Sequence, residues 1–296
     1  MILGKTRQND PMTFQTMLLD NPDFPTCLRT MNDPPAQLNW VGQPIAKWLE
    51  RPRVAIVGSR KVSGYGRQTT LQLASELAQA GVVIISGLAL GVDALAHQGA
   101  LEAGGTTVAV LPCSLDKIYP AHNEQLGKRI AAQGGTLISE YSTDMPYMNK
   151  YNFVARNRII SGLADAVLIT EAALDSGSLH TADFALQQGR EVLVVPGNIT
   201  SPTSAGTNSL LKIGATPVTN SHDVLQALGL TVTSKAQQRT GGTPAEQIIL
   251  DLVSDNVHEG DQLLAASQLP TDLFNQSLTM LEITGKITAG GANSWY

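Results

Sequence analysis
The chain has 296 residues, 43% hydrophobic and 15% charged, a globular composition long enough for one large domain and something small. Its two cysteines, Cys27 and Cys113, lie far apart without metal-ligand spacing, so a disulfide framework and a cysteine metal site are excluded and a reducing compartment is expected. The net charge of −5 is uneven: residues 243–296 hold seven acids against Lys286, a balance of −6, which leaves +1 for residues 1–242 and keeps a nucleic-acid partner open for that part.

In chain order, residues 1–50 hold many turn formers (Asp10-Pro11, Asn21-Pro22, Phe24-Pro25, Asp33-Pro34-Pro35) and read as an irregular lead-in with little helix. Trp40 and Trp48 read as packing anchors. No signal-peptide core opens the chain and no apolar run approaches about 18 residues, so a cytoplasmic protein without a membrane span is expected. From Arg53 strands and helices alternate. Residues 54–57 are an apolar, β-branched strand, broken by Gly58, and a loop with Arg60, Lys61, Gly64 and Gly66 leads into a helix over 67–80. Strand, glycine-rich loop, helix is the opening of a phosphate-binding α/β unit, in which the loop backbone and the helix N-terminus offer N–H groups to an anion. A strand over 82–85 follows, then a loop and a helix capped by Asp93. Further strands are expected at 107–111, 137–139, 166–170 and 191–195, with helices at 122–132, 153–163 and 178–188.

This alternation predicts an α/β fold: an extended Rossmann-like parallel sheet with helices on both faces, over residues 51–228. Ligands of such sheets bind at the carboxyl ends of the strands, near a switch point. Gly58-Ser59-Arg60, Ser86-Gly87, Gly91-Val92-Asp93, Glu140, Glu171 and Ser176-Gly177-Ser178 all follow strand ends and so share one rim. Residues 229–242 are polar and read as a linker. Three helices and a terminal hairpin over 243–296 predict a small winged helix. Its third helix, 271–284, carries Asp272 and Glu282 and no base, so it is not expected to hold duplex DNA. Leu269, Leu273, Phe274, Leu278, Leu281 and Ile283 read as its core.

Several chemistries are excluded. Gly58, Gly64 and Gly66 have the wrong spacing for a dinucleotide fingerprint, and Ser86 stands where its acid would be. Tyr65-Gly66 cannot supply the Lys-Ser/Thr pair of a P-loop. Asp175 to His180 contains triad residue types, but neighbours in sequence at a helix entry rarely form a triad, and Ser176 or Ser178 reads as a helix cap. His97 and His122 have no partner at metal-ligand spacing, so no metal or cofactor is expected. The stretch from Lys150 to Ile160 is more informative. Lys150, Phe153, Arg156, Asn157 and Arg158 offer charge to phosphates and a π-face to a base, although one arginine of the pair could instead fix a loop to Glu140 or Glu171.

These residues closely resemble the DNA-processing protein A family (DprA, also called Smf). The matching motifs are Ala-Ile-Val-Gly-Ser-Arg at 55–60 with Tyr65-Gly66, Ser-Gly-Leu-Ala-x-Gly-Val-Asp-x-x-Ala-His at 86–97, Tyr119-Pro120 and Ser139-Glu140-Tyr141. Phe153 with Arg-Asn-Arg-Ile-Ile-Ser-Gly-Leu at 156–163, Glu-Ala-x-x-x-Ser-Gly-Ser-Leu-x-Thr-Ala at 171–182, Val195-Pro196-Gly197 and Gly206-Thr207-Asn208 continue in family order. The resemblance implies a non-enzymatic, homodimeric protein that binds single-stranded DNA, protects it, and loads RecA recombinase onto it during natural transformation. Carried onto matching positions, it implies DNA contacts from Arg60, Lys150, Phe153, Arg156, Asn157 and Arg158, with Gly58, Ser59, Ser86, Gly87, Gly91, Ser176, Gly177 and Ser178 lining the pocket. Many members carry a proline and a base after the phenylalanine, where this chain has Val154-Ala155. The alternative is a nucleotide-cleaving phosphoribohydrolase-like enzyme on a related sheet. Aligning Thr181 with the threonine of that family's motif puts Phe184 where the catalytic glutamate belongs, which argues against it.

Overall fold
The computed structural model describes residues 14–144, 148–230, 242–255, 257–287, 289–291 and 293–295. The chain divides into two compact units, Met1–Thr231 and Val232–Tyr296.

In the first unit, β1 (Gln15–Leu18), α1 (Thr26–Arg29) and β2 (Gln37–Gly42) precede the alternating part. There follow β3 (Arg53–Val57), α2 (Gly64–Gln79), β4 (Val83–Ser86), α3 (Val92–Glu102), β5 (Thr107–Val110), α4 (Glu124–Ala132) and β6 (Thr136–Ser139). The unit is completed by α5 (Lys150–Leu163), β7 (Ala166–Ile169), α6 (Ser178–Gln187), β8 (Glu191–Val194), α7 (Ala205–Lys212), β9 (Thr216–Pro217) and α8 (Ser221–Ala227). Nine strands form one sheet in the order β1-β2-β6-β5-β4-β3-β7-β8-β9. From β6 to β9 the neighbours are parallel, while β2 runs antiparallel to both β1 and β6. The sheet is therefore mostly parallel.

The lead-in is not irregular where it is described. Leu38 and Trp40 alternate with polar neighbours along β2 and are buried, and Trp48 is fully buried, its indole N–H donating to Thr136 Oγ1 at 3.0 Å. The turn formers that hide this in the sequence, Asn21-Pro22, Phe24-Pro25 and Asp33-Pro34-Pro35, lie between β1 and β2. Central strands β4, β5, β6 and β7 are buried at every residue, because helices cover both faces. α2 packs on α3 and α8, and α3 on α4, whereas α5 packs on α6 and α1. With right-handed crossovers, β3 to β6 step one way along the sheet and β7 to β8 the other, so the switch point lies between β3 and β7.

Three helix starts differ from the sequence reading. α2 begins at Gly64 because the Ser63 hydroxyl accepts from the Gly66 N–H at 3.1 Å. α5 begins at Lys150, under a capping box in which Asn149 accepts from Tyr151 N and donates its own N–H to Asn152 Oδ1, both at 2.8 Å. Asp93 is not a cap: α3 starts at Val92, and the Asp93 carboxylate turns back to accept from the N–H groups of Gly87 and Ala89.

The second unit holds α9 (Pro244–Ser254), α10 (Gly260–Ser267), α11 (Thr271–Ile283), β10 (Ala289–Gly291) and β11 (Ser294–Trp295), the two strands forming an antiparallel hairpin. Ile249, Leu250, Val253, Leu263, Phe274, Leu278, Leu281 and Ile287 make its core, with Trp295 packed against it. Leu273 and Ile283, expected inside, are exposed, because α11 turns them away from the stripe made by Phe274, Leu278 and Leu281. Most of the expected linker, residues 231–241, lies outside the described residues. Among the described residues no helix is long and apolar enough to cross a membrane, and no cluster of metal-ligating side chains occurs.

Candidate nucleic-acid interface
The first glycine-rich loop does not present its glycines to an open anion site. The carbonyl of Glu171 accepts from the N–H of Ser59 at 2.7 Å, and the Glu171 carboxylate accepts from the N–H of Ser63 at 2.8 Å. Glu171 is 2% exposed, so a buried carboxylate of the chain itself occupies the N-terminal end of α2, at the switch point. Gly66 is required there, since a Cβ would overlap that carboxylate. A Cβ on Gly58 would run into the carbonyl of Glu171, and one on Gly91, which has φ +79°, into the carbonyls of Ser59 and Arg60. These glycines let loops meet one another.

The open site lies to one side, over the ends of β4 and β5. A narrow cavity of about 50 Å³ is lined by Arg60, Gly87, Leu90, Pro112, Tyr119, Phe153 and Arg156, with Ala89 and Pro120 completing the wall. Because α5 begins at Lys150, Phe153 and Arg156 stand one turn apart on the face that looks into this cavity. The Arg60 guanidinium carbon lies 5.3 Å from the Phe153 ring centroid, and Tyr119 meets that ring edge-on at 5.5 Å. Arg156 is 4% exposed; its Nη1 donates to the carbonyl of Val110 at 2.7 Å and to that of Gly87. Burial lowers its pKa to about 10, against the pull of the Asp93 charge, and burial also pushes the Asp93 carboxyl up. Arg156 therefore stays charged at neutral pH, deep in the cavity wall, where an incoming anion would find partly uncompensated positive charge.

Other expected site residues stand outside this cavity. Ser86 is fully buried and donates to the carbonyl of Ile56, so it braces β3 against β4 and lines nothing. Ser59 closes a turn onto the backbone of Lys61. Arg158 points to the far side of α5, where Glu140 holds it through Nη1 and Nη2 at 2.8 and 2.7 Å and Asp33 through Nε at 2.8 Å. Burial, the largest influence on it, pulls its pKa down, and Glu140 and Asp33 together lift it above its ordinary value. It is the loop-fixing arginine of the pair. Asn157 accepts from Arg156 Nε at 3.2 Å and donates to the carbonyl of Gly177 at 3.3 Å, which links the Ser176–Ser178 hydroxyl pair, 2.8 Å apart, to the cavity wall without placing it inside. Lys150 is exposed on the first turn of α5, 5.2 Å from the Tyr151 ring.

The sequence reading missed Tyr119, Pro112 and Leu90. Tyr119-Pro120 is visible as a motif, but only the fold shows that the loop after β5 closes over Phe153. It also missed the left-handed Leu88 (φ 57°), a fully buried residue whose carbonyl accepts from Asn123 at 2.8 Å.

The sequence model of the family described as DNA recombination-mediator protein A matches residues 15–229. The chain belongs to this family. Relatives agree with the assignment: Protein Smf of Escherichia coli is 39% identical over 279 residues, covering 91% of this chain and 74% of that protein. The DNA processing protein DprA of Bacillus subtilis is 36% identical over 213 residues, covering 72% and 71%. Among solved structures, DNA processing protein A of Helicobacter pylori, described for its single-stranded DNA binding mode, superposes with a TM-score of 0.65 at 38% identity over 73% of this chain and 96% of its own. That of Streptococcus pneumoniae gives 0.67 at 37% identity, over 73% and 75%. The family match spans both the rim cavity and the strands of the lead-in. Phe184, where the phosphoribohydrolase alternative needs an acid, is a half-buried side chain on α6 that lines a separate pocket.

Proposed function
We propose that this chain binds single-stranded DNA across the rim cavity, protects incoming strands and loads RecA recombinase onto them during natural transformation, acting in the cytoplasm as a homodimer and without catalysis. One observation carries the DNA site: an exposed guanidinium, Arg60, and a buried one, Arg156, flank Phe153 at the mouth of a cavity of about 50 Å³. That space admits a phosphate oxygen or a base edge and not a whole nucleotide, so the polymer lies across the mouth. In this reading Arg60 and Lys150 take backbone phosphates, Phe153 takes the face of an unpaired base, and Arg156 supplies charge from behind. Gly87 lines the wall, and Ser59, Gly58, Gly91 and Asn157 hold the loops and the helix behind it.

RecA loading and dimerisation rest on the family membership. The C-terminal unit is proposed as a winged helix, from its order of three helices and a terminal hairpin.

The test is fluorescence anisotropy with single-stranded and matched duplex oligonucleotides, run beside light scattering and an assay of RecA filament growth on strands coated with single-strand-binding protein. Preference for single strands, a dimer mass and faster filament growth are expected. Equal affinity for duplex, or no effect on RecA, overturns the corresponding part, and base release from nucleoside monophosphates would move the chain to the enzyme alternative.

A further inference from the structure
We propose that the pocket between α1, α5 and α6, about 470 Å³, is a second subsite that takes a base of the same single strand that crosses the Arg60–Phe153 cavity. The inference rests on the single-strand reading of that cavity and extends it to a place where no function has been assigned.

The argument begins with α5, which is the wall between the two chambers. Phe153 and Arg156 face the rim cavity, while Tyr151, Val154, Ala155 and Arg158 line the larger pocket, a spacing of three, four and seven that puts them on one stripe of the same helix. An α-helix with its side chains is about 10–12 Å across, so a couple of extended nucleotide units reach from one side to the other. The crossing point is the first turn, where Lys150 stands over the Tyr151 ring at 5.2 Å and both are exposed. A backbone phosphate held by Lys150 leaves the base on either side of it free to turn inward.

The pocket's chemistry suits a base and not a phosphate. Tyr151, Phe184, Met31 and Val154 give it aromatic and aliphatic walls, and stacking on such walls is tolerant of sequence. Its charges largely cancel: Arg158 is tied to Asp33 and Glu140, and Arg190 adds one further cation. Two of its lining side chains keep polar atoms without partners. Arg190 makes only a long bond, Nη2 to the carbonyl of Gly162 at 3.5 Å, and its Nε makes none; Gln188 Oε1 accepts nothing. Both atoms are buried behind the pocket's surface, so a ligand reaches them only as the two side chains turn toward it. A base edge, which carries acceptors and donors, then serves both, whichever base it is.

The experiment titrates wild type, Arg190→Gln, Val154→Glu and Phe153→Ala with oligothymidylates from about 4 to about 20 nucleotides. Val154 is exposed, so its variant tests the pocket even if Arg190→Gln is poorly folded. Wild type is expected to gain affinity in a step once the strand is long enough to round α5. Arg190→Gln and Val154→Glu should lose that step, about tenfold on the longest strand, with the shortest unaffected, whereas Phe153→Ala weakens every length. If both pocket variants follow the wild-type curve while Phe153→Ala weakens it, this inference fails and the rim site survives. If Phe153→Ala also binds like wild type, the rim site itself has failed. A Val154→Glu variant that changes mass in light scattering but not DNA affinity also overturns the proposal, because the groove then holds protein.

Discussion

Gly87 and Arg156 fit each other as a socket fits a plug: the Arg156 guanidinium donates to the Gly87 carbonyl and occupies the space that a Gly87 side chain would need. Asp93 holds the N–H of the same residue at 3.1 Å, so the two peptide units that flank the Gly87 Cα are each gripped.

Gly87→Ala should therefore displace Arg156 while leaving the sheet intact. The expected outcome is a drop in single-strand affinity of about tenfold, equivalent to roughly 1.4 kcal/mol, with a small change in melting temperature. Anisotropy and thermal unfolding on the same preparation check it. Wild-type affinity in the alanine variant would show that the guanidinium position does not matter.

Arg60 and Arg156 should separate cleanly. Arg60 is exposed and bonded to no carboxylate among the described residues, so Arg60→Ala is expected to cost binding and leave stability alone. Its lost phosphate contact should reduce the slope of log affinity against log salt by about 0.7. Arg156→Ala removes two hydrogen bonds between β5, the Gly87 loop and α5, and should lower both affinity and stability. Chemical denaturation with salt titrations distinguishes the two; equal stability losses would contradict the assignment.

His97 gives the protein an acid-side weakness. It is fully buried; Thr107 donates its hydroxyl to the Ile84 carbonyl and so accepts from His97 Nδ1, while Nε2 has no partner. Burial, with the Arg156 charge assisting, lowers its pKa to about 3. A histidine depressed on folding contributes stability that is complete above the unfolded value near 6.5 and is lost as pH falls toward 3, at up to about 1.4 kcal/mol per unit. His97→Asn, whose amide can keep the bond to Thr107, should flatten the decline between pH 6.5 and 4 in urea unfolding. Parallel curves for the two proteins would exclude His97 as the cause.

Removing the Glu171 carboxylate should loosen the start of α2. Glu171→Ala leaves the part-buried Ser63 N–H without its acceptor, a cost of about 1 kcal/mol. Calorimetry is expected to show a fall of several degrees with little direct effect on DNA contacts. An unchanged melting temperature would mean that water substitutes for the carboxylate.

Duplex DNA should not bind the C-terminal unit. α11 has no basic residue, and the face it leaves outside carries Leu273, Met280 and Ile283. Residues 243–296, which have a core of their own, should show no salt-sensitive binding when titrated with duplex at low ionic strength. Micromolar affinity that weakens with salt is the contrary result.

The alternation from Arg53 onward was legible because buried parallel strands leave continuous apolar runs, and Phe153 and Arg156 were legible because aromatic and basic residues share one stretch. β2 was not, since turn-forming residues precede its short alternating pattern. Nor could the sequence tell Arg156 from Arg158. They are two residues apart on a helix and therefore face different ways, and only the positions of Glu140 and Gly87 show which arginine fixes a loop and which looks into the cavity. The glycines misled for a related reason: close approach to a phosphate and close approach to a neighbouring loop make the same demand on a side chain.

Glu171 fills the N-terminal end of α2, where sheets of this kind usually swallow a small ligand, and the rim cavity beside it is too small to take a nucleotide whole. A deep hole must be entered by an end; a small mouth can be crossed anywhere along a chain. Circular strands and long strands with occupied termini should thus be held as readily as short free ones.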